Sequence, residues 1–177
     1  MTFGTAISTC FSKYFTFSGR AARSEFWWFF LFYVLGGIVF SLADGLLLSP
    51  DPRTGTSRDI LSGLWGVALY IPLLAASWRR LHDTGRPGWY ALIPMLISLV
   101  TLIGLFTGIF AFAQLQNSGV DADSLRGPAA FLGLSGIAVM GIAQLVVSLL
   151  MLYWLTRPSD IGPNAYGPAP YAGMVSA

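Results

Sequence analysis

Long apolar stretches alternate with short polar segments along the whole chain. Four stretches without a charged residue cover about residues 26–43, 60–78, 89–112 and 129–155. A helix needs roughly 20 mostly apolar residues to cross the hydrocarbon of a bilayer, so each stretch predicts one transmembrane helix. The pattern predicts an all-α integral membrane protein, a four-transmembrane-helix bundle forming a single membrane domain over residues 1–170. We expect residues 171–177 to be a disordered tail.

A shorter periodic segment precedes the first span. Phe3, Ile7, Phe11 and Tyr14 recur at the spacing of one helical face, which predicts an amphipathic helix over residues 3–15 lying at the membrane interface. An irregular interfacial segment is the alternative. The first 25 residues lack the pattern of a removable signal peptide, so the first span is predicted to act as its own insertion signal.

The distribution of Lys and Arg predicts the orientation of the spans. Cytoplasmic loops retain an excess of these residues. Seven lie on the side of the N-terminal segment, the loop between spans two and three, and the tail, whereas three lie in the other two loops. Both termini are therefore predicted to be cytoplasmic.

Composition agrees with a membrane protein. Hydrophobic residues make up 55 % of the chain and charged residues 10 %, which excludes an ordinary soluble domain and a disordered chain. One cysteine, Cys10, excludes an intramolecular disulfide and a Cys-based zinc cluster. His82 has no second histidine beside it, so we predict neither a metal site nor a cofactor.

The dense polar sequence lies on the predicted cytoplasmic side, in three strings. They are FSGRAARSEFW from Phe17, WRRLHDTGRPGW from Trp78, and RPSDIGPNAYGP from Arg157. Each string combines arginine, a carboxylate and turn-forming residues. The candidate binding residues on this face are Arg20, Arg23, Glu25, Arg79, Arg80, His82, Asp83, Arg86, Asp160 and Asn164.

The middle string admits three interpretations. It can be a well-capped turn that only fixes topology, with Arg79 and Asp83 one helical turn apart and able to pair. It can bind a lipid phosphate or another anion, because guanidinium groups match phosphate oxygens bidentately. Catalysis by His82 is disfavoured, since adjacent helical residues point about 100° apart and do not form a dyad with Asp83. Glu25 is costly beside a membrane unless paired, and an arginine of this string is the candidate partner.

The three strings carry a resemblance to a known family. FSGRAARSEFWW, RRLHDTGRPGWY and GPNAYGP, in this order around these spans, resemble the bacterial membrane-protein family known as domain of unknown function 805. The resemblance extends over about residues 14–170. It implies a bacterial inner-membrane protein of about four helices and supplies no activity.

The predicted function is that of a multi-pass inner-membrane protein, without enzymatic activity, whose cytoplasmic face binds anionic lipid headgroups or a protein partner. Self-association into a homo-oligomer is a further possibility, and no nucleic acid is expected. A small transporter or channel is the alternative, for which Gln144 within the fourth span is weak support. A membrane enzyme acting on a lipid or isoprenoid phosphate is the third hypothesis, because few carboxylates are available to hold a divalent metal.

Overall fold

The chain folds into helices joined by turns. The computed structural model describes residues 1–48, 58–117 and 122–170. Over these residues we define α1 (Phe3–Ser12), α2 (Arg23–Leu47), α3 (Ile60–Asp83), α4 (Ile93–Asn117, preceded by the 3-10 helix Gly88–Leu92) and α5 (Ala122–Thr156). The described part of the chain contains no β-strand, only an isolated bridge between Asn164 and Gly167.

Four of these helical segments are long and apolar enough to cross a membrane. They are Arg23–Leu47, Ile60–Asp83, Gly88–Leu115 and Gly133–Thr156, so the predicted number of spans is confirmed. The helices themselves extend beyond the predicted apolar stretches. In particular, α2 begins at Arg23 and α3 ends at Asp83, which places charged residues on helices and not in the flanking loops.

The predicted loop between spans three and four is partly helical. Helix α4 continues to Asn117, and α5 begins at Ala122, whereas the predicted apolar stretches end at about residue 112 and begin again at about residue 129. An apolar-run criterion ends a helix at the last hydrophobic residue, although helical backbone hydrogen bonds need no apolar side chain. The predicted disordered tail, residues 171–177, lies outside the described residues.

The helices fall into two compact units. The first unit is built from Met1–Tyr90 and the chain from Trp154 onward, and the second from Ala91–Tyr153. In the first unit α1 packs against α2 and α3, with Ala6 and Cys10 fully buried. Phe3 and Phe11 of α1 contact aromatic rings of α2, with Phe11 and Phe29 in an edge-to-face pair at 5.8 Å between ring centroids. The N-terminal helix therefore ends before residue 15 and joins the core of this unit.

Helices α2 and α3 approach closely at a glycine. The Trp65 ring of α3 lies on Gly36 of α2, where an added Cβ would meet the ring at 2.1 Å. The Trp65 Nε1 donates a hydrogen bond to the Tyr33 carbonyl oxygen at 2.9 Å. Only glycine leaves room for the indole at this point, so Gly36 fixes the spacing of the two helices.

A buried carboxylate closes the other end of this helix pair. Asp44, near the end of α2, is fully buried. Its two side-chain oxygens accept hydrogen bonds from the backbone amides of Leu61 and Ser62, each at 2.8 Å, and from the Ser62 hydroxyl at 2.7 Å. These amides belong to the first turn of α3, which has no partner within its own helix for them. A residue of α2 thus caps α3.

The second unit contains α4 and most of α5. A cleft between these helices is lined mostly by apolar residues, with four glycines among them: Gly104, Gly108, Gly133 and Gly136. A Cβ added at any of the four would meet nothing within 4 Å. Self-association into a homo-oligomer stays a prediction.

Candidate functional site

The three polar strings meet in the first unit, at the end of α3. Five charged side chains form what we call the arginine–carboxylate cluster: Arg20, Glu25, Arg79, Arg80 and Asp83. Each of them is buried, and the side chain of Glu25, the most accessible of those in ion pairs, is 4 % exposed. Charged groups are almost never buried to this extent unless they are paired, so their bonds to one another and to the backbone explain their position.

Asp83 is shared by two arginines. Its Oδ1 accepts a hydrogen bond from Nε of Arg20 at 2.9 Å and lies 2.8 Å from Nη2 in the same ion pair. Its Oδ2 accepts from Nη1 of Arg80, which lies one turn earlier on α3. The predicted pair between Arg79 and Asp83 is therefore wrong. Positions three and four apart on a helix can both pair, so helix geometry does not decide between the two arginines. Arg80 pairs with Asp83, while Arg79 pairs with Glu25 of α2.

Arg79 links α3 to the first two helices. Its Nη2 lies 2.9 Å from Oε1 of Glu25 in the first turn of α2, which confirms the prediction that an arginine of the middle string is the partner of Glu25. Its Nη1 donates to the carbonyl oxygens of Lys13 at 3.2 Å and Thr16 at 2.6 Å. The guanidinium thus satisfies carbonyl groups just beyond the C-terminal end of α1, where helices leave acceptors without partners.

Arg20 and Arg80 hold the C-terminal segment against the helices. Arg20 donates to the carbonyl oxygens of Gly162 at 2.6 Å and Asp160 at 2.8 Å. Arg80 donates through Nε to the Leu155 carbonyl oxygen at 3.1 Å, and through Nη2 to that of Arg157. These bonds place the third polar string against the first two.

His82 lies beside the cluster and is oriented by three contacts. Its Nδ1 lies 3.1 Å from the carbonyl oxygen of Gly19, which can only accept, so the proton is on Nδ1. Its ring stacks on Tyr166 at 3.8 Å with the planes 5° apart. The Asn164 side-chain amide donates to the His82 carbonyl oxygen at 2.9 Å. His82 therefore joins all three polar strings through contacts typical of a structural residue.

Two glycines shape the turn that follows. Gly85 has a φ of +69°, a left-handed conformation that glycine adopts without a steric penalty. At Gly88 an added Cβ would lie 2.0 Å from the Trp78 ring. The chain consequently leaves α3 on a fixed path before the next helix begins.

Arg86 protrudes from this turn and is half-buried. Its guanidinium carbon lies 5.1 Å from the centroid of the Trp154 ring. One nitrogen, Nη1, donates to the Thr84 carbonyl oxygen at 3.1 Å. Neither of these two contacts involves Glu25 or Asp83. Arg86 therefore differs from Arg20, Arg79 and Arg80, which pair with these carboxylates.

The ten predicted site residues therefore divide by exposure. Arg20, Glu25, Arg79, Arg80, His82 and Asp83 are buried, Arg86 and Asn164 are half-buried, and Arg23 and Asp160 are exposed. Asp160 takes part in the assembly through its backbone, whose amide donates to the Asp83 carbonyl oxygen at 3.1 Å. Sequence reasoning placed these residues on one face and did not separate a buried set from an exposed one.

Cys10 is buried next to the cluster. Burial is the main cause that raises the pKa of its thiol to about 12, and the charge of Glu25 acts in the same direction. The thiolate is the reactive form of cysteine. Cys10 is therefore a shielded and weakly reactive thiol in the folded protein.

Several contributors to the site were not singled out by sequence reasoning. The Arg86 guanidinium lies over the Trp154 ring, and the Tyr166 ring stacks on His82. Arginines also donate hydrogen bonds to the backbone carbonyl oxygens of Lys13, Thr16, Gly162 and Gly167. Every residue has a carbonyl oxygen, so no residue type signals its use. Tyr166 had a signal, because an aromatic residue stands within a run of turn formers.

The fold and the site define a class: a multi-pass helical membrane protein with a buried ionic cluster at one end of its first helix pair. The chain belongs to the family described as "Protein of unknown function (DUF805)", whose model matches residues 14–168. The resemblance expected from the polar strings is thereby confirmed.

Three relatives from Escherichia coli K12 are similar to this chain. The inner membrane protein YhaH is 37 % identical over 98 residues, which cover 51 % of this chain and 75 % of YhaH. The inner membrane protein YhaI is 38 % identical over 94 residues, covering 51 % and 74 %. The uncharacterized protein YiiR is 33 % identical over 103 residues, covering 56 % and 64 %. No solved structure matches the chain. These names, with the four membrane-length helices, support the prediction of a multi-pass inner-membrane protein.

Proposed function

We propose that this protein is a non-enzymatic component of the inner membrane that binds anionic lipid headgroups on its cytoplasmic side. Both termini lie in the cytoplasm in this proposal, and α1 lies at the membrane interface. The observation that carries it is the division of the basic residues. The cluster arginines bond to the protein itself, and a second set of cations remains at the surface of the same end.

This second set, the cationic rim, consists of Lys13, Arg23, Arg86 and Arg157. Arg23 and Arg157 are exposed, and Lys13 and Arg86 are half-buried. Three of the four are tied to the cluster through the chain: Lys13 and Arg157 supply carbonyl acceptors to Arg79 and Arg80, and Arg23 lies two residues before Glu25. The cluster therefore holds the rim at one end of the helices.

The physical basis is the negative surface potential of the cytoplasmic leaflet. A Lys or Arg near that surface contributes about 1 kcal/mol to the attraction of anionic lipids. Four such residues on one protein surface give a preference for anionic over zwitterionic headgroups, and the preference weakens as salt increases. The cluster arginines take no direct part, because their side chains are buried and paired with Asp83 and Glu25.

Lipid binding is tested by native mass spectrometry of the gently solubilised protein with phosphatidylglycerol and, separately, phosphatidylcholine. We expect retention of phosphatidylglycerol by the wild type and its loss in a variant with all four rim residues replaced by Gln. The control is Arg58→Gln, an exposed cation before the opposite end of α3. Equal retention of the two lipids by the wild type contradicts the proposal.

Orientation is tested separately with reporter fusions after Ala43 and after Ala177. The proposal expects the first fusion on the periplasmic side and the second in the cytoplasm. A periplasmic C-terminus would place the rim on the wrong leaflet and overturn the proposal.

A further inference from the structure

Arg86 differs from the other arginines in how its guanidinium is held. The three cluster arginines each bond to a carboxylate and to backbone carbonyl oxygens, whereas Arg86 uses one nitrogen for one carbonyl oxygen, that of Thr84. A guanidinium group carries five N–H donors. Most donors of Arg86 therefore remain available to a ligand.

The guanidinium is nevertheless fixed in position. The Trp154 ring supports it at 5.1 Å, and that ring stacks on Tyr90 at 5.3 Å. The backbone beneath is fixed as well, because the Arg86 amide donates to the Leu81 carbonyl oxygen at 3.0 Å and Gly85 adopts its left-handed turn. A group that is already ordered loses less entropy when it binds, so this arginine is prepared for a ligand in a way that a flexible surface arginine is not.

Aromatic residues place Arg86 at the level of lipid headgroups. Trp89 and Tyr90 lie at the start of the span Gly88–Leu115, and Trp154 lies near the end of the span Gly133–Thr156. Trp and Tyr concentrate where a membrane protein crosses from hydrocarbon to water. Trp89 is 52 % exposed and contacts Tyr90 at 4.6 Å, so an apolar surface lies beside the cation.

We propose that Arg86, held on Trp154, binds the phosphate group of an anionic phospholipid, with Trp89 against the lipid's glycerol and acyl region. The planar guanidinium suits two phosphate oxygens at once. This site rests on the proposed function and deepens it, because it assigns headgroup recognition to one residue of the cationic rim. The remaining rim cations attract anionic lipids electrostatically and do not hold the phosphate in a defined geometry.

Substitutions that keep the positive charge distinguish phosphate binding by Arg86 from general electrostatic attraction by the cationic rim. We expect Arg86→Lys to weaken phosphatidylglycerol binding about fivefold in a native mass spectrometry titration, because an ammonium group lacks the fork and stacks poorly. Trp154→Leu should weaken binding similarly with every charge intact. The matched control is Arg58→Lys, the same change at an exposed arginine before the other end of α3, which should bind as the wild type does. Resistance of the buried Cys10 thiol to alkylation in each variant verifies that the fold is retained.

The outcomes are distinguishable. If Arg86→Lys binds as tightly as Arg58→Lys and the wild type, while neutralising the rim still abolishes binding, the Arg86 site is refuted and the proposed function stands. If neutralising the rim also leaves binding unchanged, both fail. Added orthophosphate should not displace the lipid. Displacement would assign the site to a soluble phosphate and overturn the lipid assignment.

Discussion

Replacing Asp83 with Asn tests the buried cluster most directly. The substitution keeps the shape of the side chain and removes one negative charge between Arg20 and Arg80. Both arginine side chains are at most 1 % exposed, so neither is placed to recover the lost interaction from water. We expect Asp83→Asn to destabilise the protein strongly.

The magnitude follows from the pairing. Removing one partner of a buried ion pair costs about 3–5 kcal/mol, because the remaining charge is left without compensation. Asp83 compensates two arginines, and the amide nitrogen of Asn would face N–H donors, so we expect the upper end, about 5 kcal/mol. For a chain of this length each kcal/mol lowers Tm by about 2–4 °C, which predicts a decrease of roughly 10–20 °C.

Cys10 supplies the assay. It is the only cysteine of the chain, it is fully buried, and burial raises its pKa to about 12. A fluorescent maleimide therefore reports unfolding of the first unit as the temperature rises. The probe lies on α1 and needs no engineered label.

The matched control is Asp160→Asn, the same chemical change at an exposed carboxylate. Asp160 contributes backbone groups to the cluster, and these remain in the variant. The free energy of unfolding should therefore change by about 0.5 kcal/mol or less, with little change in Tm. Equal transition temperatures for Asp83→Asn and the wild type would refute the conclusion that the cluster stabilises the fold.

Two further substitutions and one labelling experiment test other contacts. Gly36→Ala places a Cβ about 2.1 Å from the Trp65 ring and should lower stability by about 1–3 kcal/mol in the same thermal assay, with Gly45→Ala, where the added Cβ meets nothing within 4 Å, as the control. Gly88→Ala brings a Cβ to 2.0 Å from Trp78 and should lower Tm and weaken phosphatidylglycerol binding, because it displaces the turn that carries Arg86. Cys10 in the native protein should stay unmodified by maleimide at neutral pH and react increasingly only as pH rises toward its pKa of about 12; rapid native labelling would show that the thiol is not buried.

The spans were predictable because hydrocarbon imposes a length and a polarity on them. A stretch such as residues 60–78 has no alternative to helix within lipid, where every backbone group needs an internal partner. The helix ends were not predictable in the same way. α3 continues to Asp83 because Arg79 and Arg80 find acceptors in the folded protein, and hydropathy carries no information about those acceptors.

The pairing within the cluster was predictable in part. A carboxylate beside the membrane requires a cation, and this reasoning led from Glu25 to the middle string, where Arg79 is the partner. Spacing alone suggested Arg79 with Asp83 and was wrong, because two positions one turn apart on a helix can interact without being obliged to do so. The choice depended on where α1 and the tail lie, and both are tertiary information.

Because several arginines are buried, the number of Lys and Arg residues on one side is not the number that can bind lipid. Seven Lys and Arg residues on one side predict orientation whether or not they reach lipid, because the positive-inside rule counts charge and not exposure. Lipid binding, in contrast, requires cations that reach the surface. Three of the seven are buried and engaged by Asp83, Glu25 and backbone carbonyl oxygens, whereas the rim cations are exposed or half-buried.

The cluster also joins parts of the chain that are made at different times. Arg20 and Gly162 are separated by 142 positions in the sequence, and the tail follows the last span. Until the tail is present, Arg20 and Arg80 lack the carbonyl oxygens of Leu155, Asp160 and Gly162. Their bonds to Asp83 can form earlier, since Asp83 lies on α3 with Arg80. Completing the cluster therefore requires that the chain has been made up to Gly162, and the arginines whose charge predicts the orientation of the first spans are also the residues that bond to the last segment.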